Sequence, residues 1–189
     1  MSRVSLPSHD ELQHCEPIFR EIEASLGFRP NDYMTMSHEP HLLKAVVDLT
    51  GTILNKLGPL PDDVKWLLPY MVSHAAHCTY CMAHSENMSA SVGIALEKIH
   101  SIKVYKTSPL FSDAERYALH LAEKSSQTPS AVTDQDLEEL RYYFDSKQIV
   151  QIVALIALTA FYNKWNEIMA TELEIPPIVD CGSRSGIRC

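Results

Sequence analysis

The stretch Lys147-Gln-Ile-Val-Gln-Ile-Val-Ala-Leu-Ile-Ala-Leu-Thr-Ala-Phe161 is apolar nearly all the way round a helix from Ile149 onward, and its continuation to Ala170 makes it the longest helix expected in the chain. A helix with no wet face belongs at the centre of a fold or in a subunit interface. The apolar run is interrupted at Gln151 and is too short for the roughly 20 residues that span a bilayer. On its N-terminal side, Thr133 with Asp136 and Ser112 with Glu115 have the spacing of capping boxes, opening helices that run to about Phe144 and Ser125. Upstream, a helix is expected over Ala95 to Tyr105, one from the Cys78 region that ends at Gly93, and one that opens at Pro61-Asp62-Asp63 and meets a kink or break at Pro69. Pro40 to Leu57 carries a broad apolar face and stops at Gly58-Pro59, and a first helix starts near Pro17 and stops at Gly27. A short turn is expected at Asn31 to Ser37. Alternating apolar patterns of the kind strands need are rare, so the fold class is all-α. Asp62 to Cys81 and Lys147 to Asn166 share a pattern, which leaves a duplicated helical half as one origin of the bundle.

At 189 residues a single core buries enough surface to fold without disulfide or metal staples. Lys and Arg number 16 against 24 Asp and Glu, for a formal charge of -8, and no basic stripe is present that could displace counterions from phosphates. Nucleic acid and anionic membranes are therefore poor partners. The N-terminal residues lack a basic-then-apolar signal pattern, which gives the expectation of a cytoplasmic protein. Residues 1–38 read as an N-terminal helical extension and 39–175 as the helical domain. Residues 176–189, with Pro176-Pro177 and Cys181-Gly-Ser-Arg-Ser-Gly, read as a mobile tail.

The five cysteines, at 15, 78, 81, 181 and 189, are an odd and scattered set that argues against a disulfide framework, and the close pair Cys78 and Cys81 stands apart. The segment Ser73-His-Ala-Ala-His-Cys-Thr-Tyr-Cys-Met-Ala-His-Ser-Glu86 holds His74, His77, Cys78, Cys81 and His84, which share one face if the helix is continuous. A thiol at a helix start or beside an imidazolium has its pKa lowered from about 8.5 to about 3.5–7.5. Such a thiolate attacks peroxide to give a sulfenic acid, which a neighbouring thiol condenses to a disulfide. The bland reading, buried cysteines as small hydrophobes and histidines as ordinary surface or core residues, suits any one of these positions. Two Cys at redox spacing among three His outweigh it. His and Cys also bind zinc, but ligands on one helix cannot surround an ion tetrahedrally, so only a partial or interfacial site is compatible with this spacing.

The run Cys78-Thr-Tyr-Cys-Met-Ala-His84, with Gly93-Ile94 beyond it, resembles the carboxymuconolactone decarboxylase and alkylhydroperoxidase D (AhpD) superfamily. The resemblance extends through Ser108-Pro-Leu-Phe-Ser-Asp-Ala-Glu-Arg116, Thr128-Pro, Val132-Thr-Asp134 and Asn163-Lys-Trp-Asn166, and upstream through Leu26-Gly-Phe-Arg-Pro-Asn31 and Met36-Ser-His38. It implies an AhpD-like helical bundle assembled as a homotrimer or homohexamer, with thiol peroxidase activity toward alkyl hydroperoxides. The decarboxylase members lack the cysteine pair, so Cys78 and Cys81 argue against lactone decarboxylation.

The resemblance further implies that Cys81 attacks the peroxide, that Cys78 resolves the sulfenate, and that an external dithiol protein reduces the resulting disulfide. Helix-terminus electrostatics alone favour Cys78 as the thiolate. Peroxidase members carry a Glu upstream of the Cys pair and a His just beyond it. Counted onto this chain, the Glu position falls on Trp66 and the His position on Ser85, one residue after His84. The histidine role is carried to His84, and His77 or His74 is expected to replace the missing acid as proton acceptor. The expectation is a thiol-dependent peroxidase for organic hydroperoxides that needs no cofactor. A non-enzymatic redox sensor or structural oligomer with an impaired site, and a zinc-binding protein, are the alternatives.

Overall fold

Capping chemistry sets many of the helix ends. The Ser112 hydroxyl accepts from the Glu115 backbone N–H at 3.3 Å while the Glu115 carboxylate accepts from the Ser112 backbone N–H at 2.7 Å. Thr133 with Asp136 and Asp145 with Gln148 form the same reciprocal pair. Gly27 and Gly93 follow helix ends with φ of 85° and 92°, a backbone conformation glycine adopts without a side-chain clash.

The computed structural model describes residues 2–54 and 58–174. Leu57, expected to end a helix, and the expected tail at 176–189 with Cys181 and Cys189 lie outside the described residues. In order, the chain forms α1 (His9–Leu12), a 3-10 turn (Gln13–Cys15), α2 (Glu16–Leu26), α3 (Asn31–Met36), α4 (Pro40–Ile53), α5 (Asp62–Ala75) and α6 (Thr79–Ser91). It continues with α7 (Leu96–His100), a second 3-10 turn (Ser101–Val104), α8 (Asp113–Ser125), α9 (Asp134–Leu140) and α10 (Ser146–Met169). No strand occurs among the described residues, so the fold is all-α. Asn31 to Ser37, expected as a turn, is a short helix, and α9 stops at Leu140 rather than near Phe144. No helix among the described residues is long and apolar enough to cross a membrane.

The centre of the bundle is α5, which packs on α6, α8 and α10. Consecutive residues Val64 to Leu68 and Tyr70 to Ser73 are buried, Lys65 and Ser73 included. Of the kink or break expected at Pro69, the break does not occur: α5 runs through it to Ala75. Pro69 lacks one intrahelical hydrogen bond, and burial on every side of the helix offsets that loss. The long helix α10, expected at the centre of the fold or in a subunit interface, is buried on one face by Ile152, Leu155, Ile156 and Leu158. On the other it leaves Val150 69% and Val153 48% exposed, with Phe161 and Ile168 along the same stripe.

Two apolar clusters form. The larger surrounds α5, and the smaller joins Cys15, Phe19 and Ile22 to Tyr33, Met36, Leu43 and Val46, with Tyr162 and Trp165 of α10 packed against it. The described N-terminal residues, 2–38, thus pack onto α10, and α3 becomes a wall of the space between α5, α6 and α10.

The join between α5 and α6 has a defined backbone logic. The Cys78 N–H donates to the Ser73 carbonyl at 3.0 Å and the His77 N–H to the His74 carbonyl at 3.1 Å, while His77 sits at φ 56°. This is a Schellman motif, with His77 at the left-handed position that glycine usually fills. A left-handed conformation costs a residue with a Cβ about 1 kcal/mol. His77→Gly is therefore expected to raise the melting temperature by about 2–4 °C in a differential scanning experiment. An unchanged or lowered melting temperature would contradict the assigned turn geometry.

Candidate active site

Leaving that turn, Cys78 is extended, at φ -83° and ψ 95°, and becomes the N-cap of α6. Its sulfur accepts the Cys81 backbone N–H at 3.4 Å, so it occupies the place where the unpaired amides and the helix dipole favour negative charge. A hydrogen bond from the Cys81 thiol is the main cause that holds Cys78 down at about 7; partial burial opposes it and the backbone amides add to it. Cys81 moves the other way. Donating to the Cys78 sulfur and lying only 6% exposed, its thiol is pushed well above the ordinary range. Cys78 and Cys81 are free thiols.

One turn further along α6, His84 faces the same space as Cys81. Its Nε2 lies 2.9 Å from Glu174 Oε2, its ring stacks on Tyr80 with centroids 4.4 Å apart, and Phe28 meets it at a tilt with centroids 5.6 Å apart. The Tyr80 hydroxyl donates to Glu174 Oε1 at 2.6 Å, and the Asn31 backbone N–H donates to the same oxygen. Burial works to raise the Glu174 pKa, but the hydrogen bonds from His84, Tyr80 and Asn31 outweigh it and hold the carboxyl below the usual range. Burial raises the Tyr80 phenol, helped by the charges of Asp32 and Glu174.

From α10, Asn166 Nδ2 reaches Cys81 Sγ at 3.3 Å and Asp32 Oδ2 at 3.4 Å. Asp32 is 6% exposed, and burial raises its pKa against the lowering effects of His84, Asn166 and the Tyr33 backbone amide. The side-chain oxygen of Asn166 is buried and has no hydrogen-bond partner among the described residues.

Asp32, Tyr80, Cys81 and His84 border a cavity of about 170 Å³. Cys81, His84 and Asp32 form its reactive side, Phe28, Tyr33, Trp66 and Tyr162 supply aromatic walls, and no Lys or Arg among the described residues lines it. Cys78 is not among the lining residues. The two sulfurs thus differ in role by position: one faces the cavity, and the other is half-buried outside it.

The histidines expected in the site separate. The Schellman turn interrupts the helix, so His74 and His77 do not share a face with Cys81 and His84. His74 is in the last turn of α5 and His77 is exposed at the turn itself. Neither side chain makes a hydrogen bond or ion pair with a described residue, and neither lines the cavity. No group of three metal-ligating side chains is placed to hold an ion among the described residues. Asp32, Tyr80, Asn166 and Glu174 are site residues that the sequence reading did not assign. Tyr80 lies inside the Cys-x-x-Cys run and Asn166 in a quoted segment, whereas nothing local in the sequence distinguishes Glu174.

No protein-family profile matches the chain. It is 29% identical over 130 residues to the uncharacterized protein YnjA of Escherichia coli (strain K12), covering 69% of this chain and 71% of that protein. The debrominase Bmp8 superimposes with a TM-score of 0.83 at 30% identity, over 93% of this chain and 94% of Bmp8. A cysteine-to-alanine variant of Bmp8 in complex with 2,3,4-tribromopyrrole gives a TM-score of 0.84 at 29% identity, over 94% and 96%. An uncharacterized peroxidase-related protein from Ralstonia eutropha JMP134 with an alkylhydroperoxidase AhpD core matches with a TM-score of 0.81 at 21% identity, over 92% and 93%, a likeness of fold. Fold, near full-length coverage and the motif segments agree: the chain belongs to the carboxymuconolactone decarboxylase and AhpD superfamily.

Proposed function

We propose that the protein is a dithiol oxidoreductase that reduces small neutral organic hydroperoxides, with Cys81 as the attacking sulfur and Cys78 as the resolving one. The observation that carries this reading is the division between the sulfurs: Cys81 borders the cavity, while Cys78 caps α6, its sulfur accepting the Cys81 backbone N–H where a helix start favours negative charge. The pair holds one proton between them, and moving it onto Cys78 puts the charge on the sulfur that meets substrate. Cys81 then attacks the terminal peroxide oxygen, the O–O bond breaks, and a proton from His84 converts the leaving alkoxide to an alcohol. Cys78, deprotonated again, attacks the Cys81 sulfenic acid and releases water as the disulfide forms. In balance, two thiols and one hydroperoxide give a disulfide, an alcohol and water. An external dithiol protein resets the pair. The exposed stripe on α10 supports a homotrimer or homohexamer as the working assembly.

A second reading is favoured by the likeness to Bmp8 and by the aromatic cavity walls. Cys81 would take bromine from a protonated bromoarene, leaving a C–H bond and a sulfenyl bromide, and Cys78 would displace bromide to give the same disulfide. The two readings share their cysteines and differ in the atom transferred.

Consumption of cumene hydroperoxide with a dithiol reductant, alongside bromide release from 2,3,4-tribromopyrrole, tests them together. The expected result is hydroperoxide turnover that is lost in Cys81→Ser, with loss of two thiols per chain before reductant is added. Bromide release without peroxide turnover would move the assignment to the second reading, and turnover of neither would remove both. The cavity is smaller than the roughly 300–1,000 Å³ typical of drug-sized ligands, and none of its described lining residues is a cation. An anionic fatty-acid hydroperoxide is therefore expected to show kcat/KM about tenfold or more below cumene hydroperoxide.

The shared proton gives a separate expectation. Site-resolved alkylation of Cys78 should rise with pH through a midpoint near 7, while Cys81 stays unmodified over the same range. Because the Cys81 thiol is the main cause of the lowered Cys78 value, Cys81→Ala should move that midpoint upward. A midpoint unchanged in the variant would contradict the sharing.

A further inference from the structure

We infer that Glu174 is the carboxylate that orients His84 for proton transfer, entering the site from the segment after α10 in place of an acid on α5. The inference rests on the dithiol reading for its chemistry, but its geometry stands independently. Glu174 Oε2 lies 2.9 Å from His84 Nε2, and its other oxygen accepts from the Tyr80 hydroxyl and the Asn31 backbone N–H. Its side chain is 12% exposed, so water does little to screen the contact.

An ionised carboxylate only accepts hydrogen bonds, so the Glu174–His84 contact requires the proton on Nε2. In the neutral ring, Nδ1 is then the basic nitrogen. Nδ1 makes no hydrogen bond with a described residue, which leaves it as the atom that takes or gives a proton beside the cavity. Tyr80 stacked on the ring and Phe28 tilted against it hold the plane in place. The charged and titratable groups facing His84 are Glu174, Tyr80 and Asp32.

Trp66 shows why the acid comes from elsewhere. On α5, at the position where peroxidase members carry Glu, its indole forms part of the cavity wall and is 8% exposed. A carboxylate there would face the substrate space directly. The carboxylate of Glu174 instead lies behind His84, where it polarises the ring and leaves the cavity wall aromatic.

A purely mechanical role is the competing explanation, since Glu174 also ties the segment after α10 to α3 alongside the hydrogen bond from the Asn31 side chain to the Glu172 carbonyl. Glu174→Gln separates the two. Its amide oxygen still accepts from Tyr80 and Asn31, so the tie is kept, while the negative charge on His84 is removed. Two measurements on the full chain then decide. In long-range ¹H–¹⁵N spectra above the His titration range, wild-type His84 is expected to be the Nε2–H tautomer, and Glu174→Gln to lose that preference. With cumene hydroperoxide, Glu174→Gln is expected to lower kcat about 10- to 100-fold with KM changed less than about threefold and an unchanged melting temperature. An Nδ1–H tautomer or a tautomer mixture in the wild type, or a variant with wild-type kcat, would overturn the inference. Because the tautomer is read without turnover, a protein inactive toward hydroperoxides would refute the dithiol reading while the spectra still decide the role of Glu174.

Discussion

The hydrogen bond from the Cys78 N–H to the Ser73 carbonyl closes the turn on which the site depends. It ends α5, forces His77 into a left-handed conformation and delivers Cys78 in an extended conformation to the start of α6. A cysteine in the middle of a helix has its neighbouring amides already paired. At the N-cap, its sulfur is the acceptor those amides lack, which makes it the natural seat of a negative charge. The same turn fixes the phase of α6, so that Cys81 and His84, one turn apart, face inward together.

The second constraint is depth. With Cys78 half-buried and Cys81 buried under Asn166, the low-dielectric sulfur borders the substrate space while the stabilised charge sits outside it. Neither sulfur alone combines access to the cavity with a low pKa. On the proposed dithiol reading, the pair would combine the two through one shared proton, drawn onto Cys78 when a substrate meets Cys81. Asp32 and Glu174 divide along similar lines: burial pushes the first toward its neutral form, while hydrogen bonds keep the second ionised. Two carboxyls with pKa values driven apart are a recurring arrangement in sites that must both take and give protons.

Much of the fold was legible because helix ends are local chemistry. Ser112 with Glu115, Thr133 with Asp136, and glycines 27 and 93 act through neighbours a few residues away, and the structure shows those ends where the spacing puts them. What could not be read was which helix the fold encloses. Pro69 gives the local expectation of a kink or break in α5, yet α5 is continuous and packing by α6, α8 and α10 buries it, whereas α10 keeps one face open. The site divides in the same way. Cys78, Cys81 and His84 lie close in sequence and were found together; Asp32, Asn166 and Glu174 join them only through tertiary contacts. His77 adjoins Cys78 in sequence, but the left-handed turn leaves it exposed and outside the cavity lining.

The assignment of the two sulfurs is tested most directly by trapping the first oxidised species. Cys78→Ser and Cys81→Ser proteins are each exposed to one equivalent of cumene hydroperoxide in the presence of dimedone, and the adduct is located by mass spectrometry. If Cys81 is the sulfur that meets the peroxide, Cys78→Ser carries a sulfenate adduct on Cys81 and Cys81→Ser carries none on Cys78. An adduct on Cys78 in the Cys81→Ser protein, formed as fast as the one on Cys81, would reverse the roles and contradict the division of charge and access between the pair.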